Sequence, residues 1–498
     1  MEQITKLIRS DYIFKIGETT GEVECSMPIE NGSAKPISYS ANAIVTSAEP
    51  LNGECSVKGK VNFKTILCEG TQFSALDYFA DVEFVVNGNV LPTMKVSARA
   101  EVTDVNVFIE GDVAKGTASV LITLYGLSVQ ETSALISAED ACLLEEKVKS
   151  STLLGVHDGR ATLYDEFDAG RVRDVILTGN GASIRETSCK NGVIKVLGDA
   201  RAKVLYTTAD GNTYMHTFNL PFAEEIAADC VDENCNATAY ATVENVKLIL
   251  SGTDDDTEIR AEITLCIRAD VWKIEDVDVV KDAFCTDVEL AVERCTKAYS
   301  YPKATFALNE DVKKSITLPP EMPGIEKIIG VVSEWNVTTN TAIADGKVLI
   351  EGVVSGNSLY VNRDGGISCL PFEVPYSSSH PVQRAEKTDL IIIATDVSEV
   401  GAYARGDAEI ELSVKLTFCC TCYDNGTTCA VISCKEGEKK QRVAHPITVR
   451  FGEPGAKLWQ TAKSLNVSPE TLMESNPELV FPLKGGEKIL EYHPILCE

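Results

Sequence analysis

The sequence predicts a mainly β protein, built from three repeated domains of the β-sandwich or open-barrel type and a small C-terminal domain with two short helices. Three observations carry this prediction. Apolar and polar residues alternate with a period of two, similar segments recur three times, and a helical period appears only towards the C-terminal end. We accordingly place the domains at residues 1–142, 160–290, 310–438 and 445–493.

The repeat is visible in the residues and in their spacing. Each unit contains a strand, a glycine-centred turn and a second strand, and units two and three share Leu-Pro-Phe at 220–222 and 370–372. The first of these strands carries a glycine in each unit, at Gly59, Gly198 and Gly352. Valines follow 43, 45 and 45 positions later, at Val102, Val243 and Val397. This regularity indicates three copies of one domain.

Alternation assigns the strands within each copy. Every second residue from Ile259 to Ile267 is apolar, and the same holds from Ile410 to Phe418. One buried face and one solvated face are typical of antiparallel sheets. Turn signals stand at Asp210-Gly211, Asp364-Gly365-Gly366 and Asn425-Gly426. They favour hairpins over βαβ units.

Two segments between the copies have a different character. Each carries Asp-Ala, at 140–141 and at 282–283, followed by a mixture of acidic and apolar residues. Periodicity leaves two interpretations open for them, an extended arm and a short helix.

The C-terminal segment has a helical period instead. Leu458, Trp459, Ala462 and Leu465 fall on one stripe of a first helix. A second helix is predicted from Ser468, a good N-cap that is followed by proline and glutamate. Asn476 and Pro477 end this second helix, because a residue before proline is disfavoured in the α region.

Residues 448–490 resemble a LysM module, a βααβ domain usually found on N-acetylglucosamine polymers. The matching positions are the strand residues Thr448 and Val449, the turn glycine Gly452, the two helices, and a closing strand after Leu483, Gly485 and Gly486. This sequence departs from the glycan-binding pattern in the loop from Gly452 to Trp459, which is two residues longer and contains a proline. The departure favours a protein surface over a sugar groove.

Charge and composition narrow the class of partner. A net charge of −28 argues against nucleic acid or an anionic membrane, because phosphate contacts need clustered lysine and arginine. The simpler interpretation of this negative charge is that it only keeps a long chain soluble. The 17 cysteines form no compact disulfide framework, and no stretch has the length of a signal peptide or a membrane span. We therefore expect a cytoplasmic protein.

Nearly the whole chain resembles the SipL-like proteins of spore-coat morphogenesis, which combine SPOCS domains with a terminal LysM domain. The resemblance is carried by the three β repeats, by LPPEMPGIEKIIG at 318–330, by the Asp-Ala segments and by the C-terminal module. It implies a place in the mother-cell cytoplasm, at the outer forespore surface and in the spore coat. It also implies that the LysM-like module binds the coat ATPase SpoIVA instead of a glycan, and that other coat proteins are partners.

The predicted contact lies on the exposed rim of the module. Lys457, Gln460, Asn476 and Pro477 flank its two loops. Trp459 has two interpretations, either as a core residue on the apolar stripe or as an aromatic anchor for the partner.

No catalytic, cofactor or metal site is predicted. The densest thiol cluster, Cys419, Cys420, Cys422, Cys429 and Cys434, is placed on a hairpin with Cys422 opposite Cys429, which favours small buried hydrophobes over a zinc site. Cys369 and His380 only imitate a thiol hydrolase, and three adjacent aspartates at 254–256 suit a solvated loop better than calcium.

Two function classes remain. One is a non-catalytic adaptor in spore-coat and cortex assembly. The other is an envelope protein that binds peptidoglycan through the LysM-like module. A third class, a wall hydrolase, is disfavoured because the sequence shows no set of catalytic residues.

Overall fold

Strands dominate the chain, as the alternation predicts. The structure, a computed structural model, describes residues 2–29, 34–69, 72–253, 256–440 and 447–492. Strands make up 79% of it and helices 3%, and the sheets are antiparallel. No sheet among the described residues closes into a barrel. The mainly β prediction is therefore confirmed.

Each of the three units has six strands in two three-stranded sheets. Unit one contains β1 (Gln3–Pro28), β2 (Lys35–Pro50), β3 (Glu54–Glu69), β4 (Gln72–Asn87), β5 (Lys95–Glu110) and β6 (Val113–Ala138). Unit two contains β7 (Ala141–Asp168), β8 (Val172–Lys190), β9 (Val193–Thr208), β10 (Thr213–Ala227), β11 (Cys235–Thr253) and β12 (Asp256–Cys285). Unit three contains β13 (Val288–Thr317), β14 (Ile325–Ala344), β15 (Lys347–Asn362), β16 (Ile367–Pro381), β17 (Leu390–Ala404) and β18 (Glu409–Lys439).

The strand order repeats from unit to unit. In unit one the sheets run β1-β6-β5 and β2-β3-β4, and units two and three have the same orders at the equivalent strands. The two sheets of a unit enclose its core. In unit two, Ile259, Ile263 and Ile267 are fully buried there, while Arg260 and Arg268 on the other face are exposed. The alternation thus assigns the inner face correctly.

The first strand of each later unit comes from the segments between the predicted copies. β7 starts at Ala141 and β13 at Val288, so the units start upstream of residues 160 and 310. Each of these strands pairs along its length with the last strand of its unit, β12 or β18. The residues form extended arms, not short helices, because a long neighbouring strand satisfies their backbone hydrogen bonds.

The predicted hairpin at Asn425-Gly426 is wrong. β18 runs through both residues without a turn, and Asn425 pairs with Ser300 of β13. The Asn425 side chain accepts a hydrogen bond from Ser300 Oγ at 2.5 Å and donates to the Ile13 carbonyl at 3.2 Å. These long-range contacts with two other strands override the local turn preference of Asn-Gly.

The three long strand pairs β1–β6, β7–β12 and β13–β18 pack against one another. We call this region, where residues 3–15, 141–153 and 288–301 lie against their partner strands, the stalk. Equivalent positions meet there: Leu135, Val280 and Val431 share one buried cluster. Unit three also contacts unit one, so the three units form a ring. The Gln3 side chain donates to the Cys434 carbonyl at 2.6 Å and accepts from the Cys434 N–H at 3.0 Å. The units are thus related by an approximate threefold axis.

A polar layer lies within the stalk. Asp11, Ser151 and Ser300 occupy equivalent positions of β1, β7 and β13, and all three are buried. The Asp11 carboxylate accepts the Leu153 N–H at 2.9 Å, and Ser300 Oγ accepts the Ile13 N–H at 2.9 Å. Because a slipped strand would leave these buried groups unpaired, the layer fixes the register between units.

The C-terminal module has the predicted order of elements. It consists of β19 (Ile447–Phe451), α1 (Leu458–Leu465), α2 (Pro469–Ser475) and β20 (Lys488–Tyr492). Ser468 caps α2 by accepting the Thr471 N–H at 3.1 Å. No helix in the described ranges is long and apolar enough to cross a membrane.

Candidate partner-binding site

Trp459 joins the C-terminal module to unit two. Its indole Nε1 donates to the Asp282 carboxylate at 2.8 Å, and its ring meets Phe284 edge-on with centroids 5.0 Å apart. Phe284 belongs to the same buried cluster as Ala462 and Leu465 of α1. The indole is therefore only partly buried within its own module, and its polar edge is occupied by another domain.

Asp282 is the centre of this contact. Its carboxylate also accepts Lys463 Nζ at 2.6 Å and pairs with the guanidinium of Arg294. Burial acts to raise the pKa of Asp282, but the hydrogen bonds from Lys463 and Trp459 outweigh it and hold this pKa below its ordinary value. A carboxylate at the end of β12 thus gathers three donors, two of them from the module.

A second set of hydrogen bonds lies beside the first. Asn466 Nδ2, just after α1, donates to the Thr286 carbonyl at 2.6 Å. Lys440 Nζ donates to the Cys285 carbonyl at 2.8 Å and to the Asn466 side chain. The module therefore rests on the turn between β12 and β13, at the end of the stalk where the units connect.

The predicted rim residues separate into two groups. Lys457, Gln460 and Pro477 are exposed, as expected for a rim. Asn476 is not, since its relative exposure is 0%. Its Nδ2 donates to the Leu490 carbonyl at 2.8 Å and its Oδ1 accepts the Leu490 N–H at 2.6 Å. The placement of Asn476 on the rim is wrong, because this side chain connects α2 to β20.

The loop from Gly452 to Trp459, which follows β19, is bound to the loop before β20. Gly455 N–H donates to the Leu483 carbonyl at 2.7 Å, and Leu483 N–H donates to the Ala456 carbonyl at 3.0 Å. A Cβ atom at Gly485 would lie 2.7 Å from Pro454, so glycine is required where the two loops touch. Pro454 and its neighbours are therefore part of a fixed surface.

The sequence reasoning missed an apolar face on the module. Ile447, Val449 and Phe451 lie on one side of β19 with relative exposures of 52%, 51% and 66%. The other side of the β19–β20 sheet faces inward, where Ile489 and Glu491 are buried. The alternating pattern Ile-Thr-Val-Arg-Phe was a signal for this face. Three adjacent exposed apolar side chains on one sheet face are typical of a docking surface.

The thiol cluster does not form the predicted cross-strand arrangement. Cys422 pairs with Ala304 and Ile391, and Cys429 pairs with Thr296, so the two cysteines are not opposite each other. Burial raises the pKa of Cys420 to about 12 and that of Cys422 to about 11. In the part of the chain that the structure describes, no three potential metal ligands are grouped. Protonated thiols in the core act as small apolar side chains.

The other candidate chemical groups are not brought together. Cys369 Sγ donates to the Ile37 carbonyl at 2.7 Å, and burial raises its pKa to about 12. His380 stacks on Phe306 instead, with centroids 4.0 Å apart. The aspartates at 254 and 255 and the histidines at 445 and 493 lie outside the described residues.

No family model, no curated protein and no solved structure matches this chain. The docked C-terminal module and its exposed apolar face are thus the features on which a functional proposal must rest.

Proposed function

We propose that this chain is a non-catalytic scaffold of endospore coat and cortex assembly, related to the SipL-like proteins. Its C-terminal module binds the coat ATPase SpoIVA at the forespore surface, in the mother-cell cytoplasm. The three β units present the module and contact other coat proteins.

The observation that carries the proposal is the exposed apolar face of Ile447, Val449 and Phe451. A glycan site needs polar groups together with stacking rings in a groove, whereas apolar side chains on a sheet face, two of these three being aliphatic, gain most from contact with another protein. Trp459, the natural aromatic anchor, is engaged by Asp282 and Phe284. The module therefore offers a partner β19 and the exposed rim residues Lys457, Gln460 and Pro477.

The peptidoglycan alternative uses the same module, so one experiment separates the two. Purified full-length chain is titrated with the purified ATPase and, in parallel, sedimented with purified peptidoglycan. The double variant Val449→Asp, Phe451→Asp serves as the test. Leu91→Asp is the matched control, because Leu91 is exposed to a similar extent in unit one.

We expect the full-length chain to bind the ATPase and the double variant to lose at least tenfold in affinity, while Leu91→Asp keeps it. Charged groups in the centre of an apolar contact must be desolvated without a partner, which is costly. Sedimentation with peptidoglycan and no affinity for the ATPase would overturn the proposal. Equal ATPase binding by the double variant would mean that the ATPase binds elsewhere on the chain.

A further inference from the structure

Two contacts between units are equivalent but contain different residues. In one, β9 and β10 of unit two face β17 of unit three. In the other, β15 and β16 of unit three face β5 of unit one. Unit two faces unit three with Arg201 and Lys203, which lie three and five residues after Gly198. Unit three faces unit one with Ser355 and Asn357, at the same distances after Gly352. Two cations in one contact are thus replaced by two small neutral side chains in the other.

The opposing strands match as well. β17 has a bulge after Val397 and β5 has one after Val102. The residue before each valine is acidic, Asp396 in β17 and Glu101 in β5. Asp396 and Glu101 therefore occupy equivalent positions, although the facing unit has arginine at one contact and serine at the other.

In the contact between units two and three, the cation is present. The guanidinium of Arg201 is bound to the carboxylate of Asp396, and Arg201 and Lys203 are only 3% and 5% exposed. A cavity of about 300 Å³ remains beside them. The two long side chains fill most of the space between the strands.

In the contact between units three and one, the position equivalent to Arg201 is the neutral Ser355 and the space is larger. A cleft of about 890 Å³ lies there, lined by Ser355, Asn357, Asp104 and Glu373 among others. Lys314 also lines it, but its ammonium donates to the Glu373 main-chain carbonyl at 2.6 Å. Glu101, which precedes the lining residue Val102, is half-buried and has no ion pair with any described residue. It accepts a hydrogen bond from the Thr339 backbone, but burial outweighs this bond and raises the pKa of Glu101. The cleft thus combines a vacant volume with the carboxylates of Asp104 and Glu373 in its lining.

We propose that this cleft binds an arginine or lysine side chain of a basic protein segment, in the position that Arg201 occupies in the neighbouring contact. The volume is that of a typical ligand pocket and accommodates a few residues of an extended segment. The net charge of −28 attracts such a segment over a longer range. This inference concerns the β units and does not depend on what the C-terminal module binds.

The test uses the full-length chain and a fluorescein-labelled peptide of alternating arginine and serine, followed by fluorescence anisotropy. Ser355→Arg supplies the missing cation from the chain itself, so it should close the cleft and lower peptide affinity at least tenfold. Glu101→Gln should lower it by a similar factor. Asn52→Arg adds the same charge at an exposed loop position and should leave affinity within twofold.

Thermal unfolding of each variant separates loss of binding from loss of folding, and Ser355→Arg is expected to melt no lower than the parent chain. Two outcomes would overturn the proposal: Ser355→Arg binding as tightly as the parent chain, or Asn52→Arg losing as much affinity as Ser355→Arg. Spermidine competing at the same concentration as the peptide would overturn the assignment to a protein segment. The variant Val449→Asp, Phe451→Asp should bind the peptide normally, which keeps this test apart from that of the ATPase contact.

Discussion

The stalk and the contact of the C-terminal module are held by different forces. Every unit contributes equally to the stalk, where Leu135, Val280 and Val431 form one apolar layer. The module contacts Asp282 and Phe284 of unit two and the turn that follows β12, and the positions equivalent to Asp282 are serines in the other units. Burial of apolar surface gives the stalk its stability, whereas directional hydrogen bonds select one of three similar places for the module.

The largest effect is expected in the stalk. Leu135→Ala removes a fully buried side chain from the layer shared by all three units, and should lower the free energy of unfolding by about 3 kcal/mol. Urea unfolding followed by circular dichroism measures the change. Leu7→Ala, at a position that is 63% exposed on β1, is the control and should cost less than about 0.5 kcal/mol. Equal shifts for the two variants would mean that the apolar layer does not hold the units together.

A smaller and more local effect is expected at the module. Asp282→Asn retains the shape but removes the charge that binds Lys463 and Arg294, and should weaken docking by about 1–2 kcal/mol. Hydrogen exchange of the α1 amides should become faster while the exchange of β12 stays unchanged. Asp278→Asn, an exposed position on the same strand, is the control. Unchanged protection of α1 in Asp282→Asn would show that packing against Phe284 is sufficient.

The same contact should depend on pH in one direction. Because folding lowers the pKa of Asp282 from its ordinary value of 3.8, its stabilising charge is fully present above about pH 4 and is lost as the pH falls through the folded value. Exchange of the α1 amides, corrected for its intrinsic pH dependence, should therefore accelerate below about pH 4 in the parent chain. Asp282→Asn should lack this step. An acceleration of equal size in the variant would mean that another carboxylate causes it.

The smallest effect is expected for an exposed carboxylate. Asp81 pairs with Lys60 at 3.8 Å, with 86% of its side chain exposed. Asp81→Asn should change the unfolding free energy by less than about 0.5 kcal/mol, because solvent screens such pairs. Urea unfolding of this variant beside Asp282→Asn compares one substitution in two environments. A larger effect at Asp81 would contradict the distinction between buried and exposed charge.

Local sequence patterns predicted the structure correctly where the conformation depends on residues close by in the sequence. Alternation from Ile259 to Ile267 assigned the buried face of β12, and Ser468 with Pro469 located the start of α2. They were insufficient where the partner is far away in the chain. Asn425-Gly426 has a strong turn preference, yet Ser300 and Ile13 hold it extended. Asn476 suits a helix end on the surface, yet it is buried against β20.

The sequence by itself determined the mainly β class, the threefold repetition and the two short C-terminal helices, since these follow from periodicity and spacing within short windows. Only the tertiary structure decided that β7 and β13 are strands, that Trp459 meets Asp282, and that the equivalent positions Arg201 and Ser355 leave different volumes. The reason is physical. Each of these features depends on contacts between residues ninety or more positions apart, and a local pattern does not encode the identity of so distant a neighbour.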